Sequence, residues 1–141
     1  MAEIIISRFM TQKKLVHVER IPIRWGDMDA MGHVNNTVYF RYMEQARIGW
    51  FDALLPQGEA WKRTAIVIAN ASCNFMRPIN YPGEVEVKVY ADAPGGSSVV
   101  THYQLHVRGE LYADGLATVV FIDAAKQKPV RIPEEIRKKL Q

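Results

Sequence analysis

"WGDMDAMGHVNN" (Trp25–Asn36) runs straight into "TVYFRYMEQARIGWFDALL" (Thr37–Leu55). The first stretch packs two aspartates, two glycines, a histidine and two asparagines into twelve residues. In the second, Tyr39, Met43, Ala46, Trp50 and Leu54 fall at steps of four, three, four and four, the spacing of one helix face. Val38, Tyr42, Gly49 and Ala53 widen that stripe, and Arg41, Glu44, Gln45, Arg47 and Asp52 leave only a narrow polar strip. A helix apolar over most of its girth is expected to be buried. The fold therefore turns on what surrounds this helix, and the polar groups at its mouth are the candidate site.

What surrounds it reads as strand. Ahead of the motif, "LVHVERIPI" (Leu15–Ile23) alternates apolar and polar residues, with Pro22 marking an edge or bend. Residues 1–14 read as a leader or edge segment, and "PQGE" (Pro56–Glu59) ends the helix with turn residues. Beyond it, "TAIVIANASCNFMRPI" is rich in β-branched residues, and "EVEVKVYAD" and "VVTHYQLHV" alternate on either side of the loop "APGGSS". A turn near Gly109 leads into "LYADGLATVVFID", where Asp114-Gly115 suggests a turn or bulge. After the turn "AKQKP", Pro133 opens a short helix, "PEEIRKKL", acidic at its start and basic at its end. Strand, helix, then strands, without βαβ alternation, repeat or linker, predicts a single α+β domain over residues 1–141. One sheet offers one face to such a helix, so a sheet edge or open flank is expected to meet another subunit.

Composition narrows the function classes. A chain of 141 residues with 48% apolar and 23% charged residues is an ordinary globular domain that needs no staple. The net charge of +3 includes the tail cluster Arg137, Lys138 and Lys139, and no basic stripe interleaves with aromatics. Nucleic acid is not an expected partner; an anionic small molecule suits the charge better. Cys73 is alone, so no intrachain disulfide forms. There is no signal-peptide pattern and no apolar run near the ~18 residues of a membrane span. A reducing, cytoplasmic setting is expected, away from membranes.

The motif itself offers few chemistries. Asp27, Asp29 and Gly32 overlay the start of a calcium loop, but Met31 and Val38 stand where ligands are required. Asp27, Asp29 and His33 could face a transition ion, though no second histidine or cysteine lies nearby, and no metal is expected. Cys73 sits in a strand-like run as a packing residue. No nucleophile elbow, P-loop or dinucleotide fingerprint is present, so no cofactor is expected. What remains is a carboxylate beside a helix start. Asn35 or Asn36 can cap that helix, whose first N–H groups and partial positive charge can hold an oxyanion. Gly32 permits a tight turn. Asp29 could then attack a carbonyl or activate water, with acyl transfer to water as the result. The alternative is a well-capped helix preceded by an Asp-, Gly- and Asn-rich turn.

The residues also carry a family resemblance. Asp27, Asp29, Gly32, Tyr39, Tyr42, Glu44, Ala46 and Arg47 reproduce the "D-x-D-x-x-G…Y-x-x-Y-x-E-x-A-R" pattern of the hotdog-fold thioesterases of the 4-hydroxybenzoyl-CoA thioesterase type. "HVNNTVY" resembles the "HVNN-x-x-Y" of plant acyl-carrier-protein thioesterases, and "FMRPINYPGEVEV" is similar to the family's second signature. The order of elements fits that fold along residues 15–123. The resemblance implies an antiparallel sheet of about five strands wrapped around one long central helix, and homodimers or homotetramers with the site between subunits. It implies an acyl-CoA thioesterase that hydrolyses an acyl- or aroyl-CoA with Asp29 as nucleophile or general base, the backbone at Asn36 polarising the carbonyl and His33 assisting. Gly32, Asn35, Tyr39, Asn74 and Arg77 are expected to bind substrate. Arg63, Arg77, Lys88, Arg108 and Arg131 are candidates for the coenzyme A phosphates, and Glu44 and Arg47 for a helical ion pair. Plant relatives place an asparagine where Met31 stands, and some bacterial relatives a histidine where Asn36 stands. The hydratase motif of the same fold fails on spacing. An acyl-carrier-protein thioesterase and a non-catalytic acyl-CoA-binding module are the alternatives.

Overall fold

A computed structural model describes residues 13–55 and 60–141. Residues 1–12 of the expected leader and the turn Pro56–Glu59 lie outside the described residues. Five strands, β1 (Lys14–Pro22), β2 (Thr64–Phe75), β3 (Glu84–Ala91), β4 (Ser98–Val107) and β5 (Glu110–Asp123), form one sheet in the order β1-β3-β4-β5-β2. Every pairing is antiparallel. A 3-10 turn (Trp25–Asp27), the long helix α1 (Asn36–Leu54) and the single-turn α2 (Ala60–Arg63) intervene between β1 and β2, and α3 (Glu134–Leu140) ends the chain. This is the α+β hotdog arrangement the sequence predicts.

Alternation decides which face of the sheet meets α1. Val85, Val87, Val89 and Ala91 of β3, with Val99, Tyr103, Leu105 and Val107 of β4, are buried. Each valine or leucine among them is worth roughly 1.5–3 kcal/mol when fully removed from water. Ala113, Ala117, Val119 and Phe121 of β5 continue the same face. Against it α1 sets Tyr39, Met43, Ala46, Trp50 and Leu54, the stripe read from the sequence, together with Tyr42 and Phe51. The other side of α1 is open in one chain: Phe40, Arg41, Glu44, Gln45, Ile48 and Asp52 are exposed. One sheet covers one side of a helix, so the all-round burial expected from composition is not reached within a subunit.

Two expectations need correcting. Arg47, assigned to the polar strip and to an ion pair with Glu44, is buried and donates from Nη1 to the Tyr103 hydroxyl at 3.0 Å. That oxygen also meets Thr101 Oγ1 at 2.7 Å, and Thr101 donates on to Ala117 O at 2.8 Å. A hydrogen-bonded chain across the sheet thus holds the guanidinium where a helix neighbour would leave it in water. Asp114-Gly115 is neither turn nor bulge: Gly115 pairs with Cys73 in mid-strand. A Cβ there would lie 2.3 Å from Met43 Sδ and 3.1 Å from Ser72 O, so the glycine makes room for the helix. The register shifts fall elsewhere, between Ile68 and Asn70 and between Leu105 and His106.

The two edges of the sheet differ. β1 carries Lys14, His17, Glu19 and Arg20, whereas from Thr64 to Met76 there is no charged residue. Val67, Ile68 and Phe75 are exposed along that outermost strand, and Met76 just past its end. Among the described residues no helix is long and apolar enough to cross a membrane.

Candidate active site

The segment ahead of α1 folds as a small hairpin. Met28 bridges to Val34, Asp29 N donates to His33 O at 2.9 Å, and Gly32 N returns to Asp29 O at 3.0 Å. Gly32 closes the turn with φ +81°, a conformation open to glycine at little cost. The Asp29 carboxylate accepts from Met31 N through Oδ1 at 2.9 Å and is otherwise exposed. Asn35, not Asn36, is the N-cap: its Oδ1 accepts from Thr37 N at 2.9 Å and from Thr37 Oγ1 at 2.8 Å. Asn36 is the first helical residue, and its N–H is one of the first-turn donors for which the helix supplies no acceptor.

Asp27 holds this hairpin down. Its Oδ2 accepts from Arg24 N at 2.9 Å and from the Tyr42 hydroxyl at 2.8 Å, and its backbone O accepts from Asn35 N at 3.0 Å. Burial, and then the bond to Asp27, push the Tyr42 hydroxyl far above its ordinary value, so it stays a donor. The Asn80 amide lies 2.7 Å from His33 Nδ1, with Gly32 O at 3.0 Å and Ile79 O at 3.1 Å around the same atom. Both carbonyls are acceptors, so that atom is the amide nitrogen, and Asn80 ties the His33 ring to the turn at Gly32. Asp27, Asp29 and His33 thus turn to separate partners, and among the described residues no three His, Cys, Asp or Glu side chains gather as a cation site.

The remaining predicted residues divide. Tyr39 is buried; its hydroxyl donates to Arg77 O and accepts from Ile79 N, both at 3.2 Å, fastening the chain after β2 to the helix start. Arg77 pairs with Glu110, which raises its already high pKa, and lies over the Tyr112 ring. Asn74 donates to Asp114 Oδ1 at 2.8 Å on the exposed β2 edge. Burial pushes the half-buried Cys73 thiol up to about 11, so it is a protonated packing group at neutral pH. Tyr42 and Asn80 were not singled out from the sequence. The "Y-x-x-Y" spacing held a hint of the first, whereas nothing local announces a contact spanning 47 positions. A cleft of about 370 Å³ opens behind the hairpin, between Arg24, Asp27, Arg41, Tyr42 and Gln45, while Asp29 and the start of α1 face open surface.

Residues 23–140, which include this hairpin and α1, match the thioesterase-like superfamily. The chain belongs to this superfamily. As a thioesterase it is a thioester hydrolase. It is 28% identical over 127 residues to the long-chain acyl-CoA thioesterase FadM of Escherichia coli (strain K12), covering 86% of this chain and 95% of FadM. Among solved structures it resembles the PA2801 protein of Pseudomonas aeruginosa (TM-score 0.81, 35% identity, 91% of this chain and 100% of that one). It also resembles a thioesterase from Thermus thermophilus solved with coenzyme A and zinc (TM-score 0.78, 32% identity, 89% and 92%).

Proposed function

We propose that the protein hydrolyses acyl-CoA thioesters, with Asp29 as the reacting carboxylate. The observation that carries this reading is the hairpin that sets Asp29 just ahead of the first turn of α1, where the Asn36 N–H has no partner within the helix. The thioester carbonyl oxygen accepts from that N–H, and the helix end stabilises the negative charge developing on it. Met31 N–H holds Asp29 Oδ1, which leaves Oδ2 to attack the carbonyl carbon or to take a proton from water. If Oδ2 attacks, the thiolate of coenzyme A leaves and the acyl-aspartyl anhydride is then cleaved by water to the free acid and the Asp29 carboxylate. If Oδ2 takes a proton from water, the hydroxide adds to the carbonyl carbon, the thiolate leaves and takes up that proton, and the free acid is released. His33, held by Asn80, stands in the same hairpin as Asp29, within reach of a bound thioester. Likeness to FadM and to a coenzyme A-bound thioesterase supports acyl-CoA as the substrate class.

The second copy belongs to the same reading. The uncharged β2 edge, the exposed apolar residues on it, and Phe40 and Ile48 on the open side of α1 make a surface that pairing of two subunits would cover. Such a dimer would close the open ground around Asp29.

The test is hydrolysis of a panel of aliphatic and aromatic acyl-CoAs, read with a thiol-reactive dye. Asp29→Asn should lower turnover by ~10²–10⁴ with KM little changed. A folded variant with near-normal turnover would falsify the role of Asp29. Hydrolysis of acyl-carrier-protein thioesters alone would move the substrate class, and binding without hydrolysis would make the protein an acyl-CoA-binding module.

A further inference from the structure

Two arginines share one tyrosine at the hairpin between β4 and β5. Arg77, just past β2, sets its guanidinium carbon 4.5 Å from the centre of the Tyr112 ring. Arg108 Nη2 reaches the Tyr112 hydroxyl from the other end at 3.5 Å, the outer limit of a hydrogen bond. Tyr112 is buried and both arginines are exposed. The backbone ties this group to the site: Met76 and Arg77 N–H both donate to Tyr112 O at 3.1 Å, and Arg77 O accepts from the Tyr39 hydroxyl in the first turn of α1. One carboxylate, Glu110, pairs with Arg77, and among the described residues none lies within ion-pair distance of Arg108.

The backbone at Arg108 adds an independent observation. Val107 pairs with Glu110, so Arg108 and Gly109 form a two-residue loop, with φ of 50° and 79°. Such a turn needs two left-handed residues, and its first position favours Asn, Asp or Gly. A long side chain there stands in a sparsely allowed conformation. Turn stability does not explain an arginine at this position, and its side chain turns back to the Tyr112 side chain that Arg77 also covers. The other basic candidates are placed differently. Lys88 lies 4.0 Å from Glu86. Arg63 stands at the far end of β2, and Arg131 beside Ile132, which donates to Gly96 O in the β3–β4 loop.

We infer that Arg77 and Arg108 form a phosphate site that takes the nucleotide end of coenzyme A. Two guanidinium forks suit the paired oxygens of a phosphate group, and the pantetheine arm gives the nucleotide its distance from the thioester. In the free protein Glu110 occupies Arg77; a phosphate group competes with it for the fork. The inference rests on the acyl-CoA reading above.

The experiment compares an acyl-CoA with the same acyl group on pantetheine, which lacks the nucleotide. Arg108→Asn keeps a residue the turn favours and removes the cation; Glu110→Gln removes the competing carboxylate. The ratio of kcat/KM for acyl-CoA over acyl-pantetheine should fall ~10-fold in Arg108→Asn and rise in Glu110→Gln. An unchanged ratio in Arg108→Asn, or equal losses on both substrates, overturns the assignment. If the wild type hydrolyses neither thioester, the acyl-CoA reading fails by itself. Calorimetry with adenosine 3′,5′-bisphosphate then decides the phosphate site alone: binding weakened ~10-fold by Arg108→Asn supports it, and no binding to the wild type overturns it.

Discussion

At the scale of single residues, Tyr42 has a role that its place in the helix stripe did not show. Its stripe position suggested packing, yet its hydroxyl is one of two donors to Asp27 Oδ2, and Asp27 anchors the hairpin that carries Asp29. Tyr42→Phe keeps the ring and removes the donor. It should cost about 1.5–3 kcal/mol, toward the lower end because Asp27 is only half-buried, and turnover should drop several-fold as the hairpin loosens. Denaturant unfolding together with the thioesterase assay checks both; unchanged values in both would mean the bond is idle. Cys73 gives a pH prediction. Its thiol is raised to about 11, first by burial and then by the charge of Asp114. The thiolate is the form that reacts, so alkylation of the native protein should climb with pH toward about 11 instead of levelling above 9. A plateau near pH 9 would show the thiol to be open to water. The turn that holds Asp27, Asp29 and Gly32 was legible because its hydrogen bonds close within a few positions. Asn80 was not, because what makes it matter is His33, 47 positions away.

At the scale of elements, α1, β1, β3 and β4 were located by their periods and β2 by its β-branched residues, with β5 following the turn near Gly109. Boundaries moved where backbone geometry took over: Pro133 caps α3 from outside, one residue ahead of it, and β2 stops at Phe75, four residues short of the stretch read as strand and before the Arg77-Pro78 step. The single-turn helix Ala60–Arg63 escaped notice, being too short to show a period. Asp114-Gly115 misled because a local rule for Gly was overridden by tertiary contact with Met43. The same contact gives a test of how tightly α1 lies on the sheet. Gly115→Ala places a methyl against Met43 Sδ, which can move, and Ser72 O, which belongs to the backbone. Destabilisation of about 1–3 kcal/mol is expected, and Met43→Val in the same chain should return part of it. Thermal melts of the single and double variants measure this; a single variant as stable as the wild type would place α1 farther from β5.

At the scale of the whole molecule, the open side of α1 meets the uncharged edge of β2 where the Phe40 and Phe75 rings lie 6.3 Å apart, centre to centre. The proposed dimer covers both, so a charge on the edge should act on assembly and activity together. Val67 is 44% exposed in one chain. Val67→Lys leaves the subunit core alone and places a cation in the pairing surface. Sedimentation should show a shift toward monomer, with activity lost in parallel. Full activity from a monomer would mean that one subunit builds the entire pocket. The sheet order has another consequence, which concerns synthesis. β2 is made directly after the helix segments, yet its partner is β5, and Thr64 waits for Asp123, about sixty residues later in the chain. Until the ribosome has released that last strand, a run of thirteen uncharged residues, Thr64–Met76, has no neighbour on either side. Such a run is adhesive toward other nascent chains. The edge that would later bring two finished subunits together is therefore also where a crowded population of unfinished ones is most exposed to sticking.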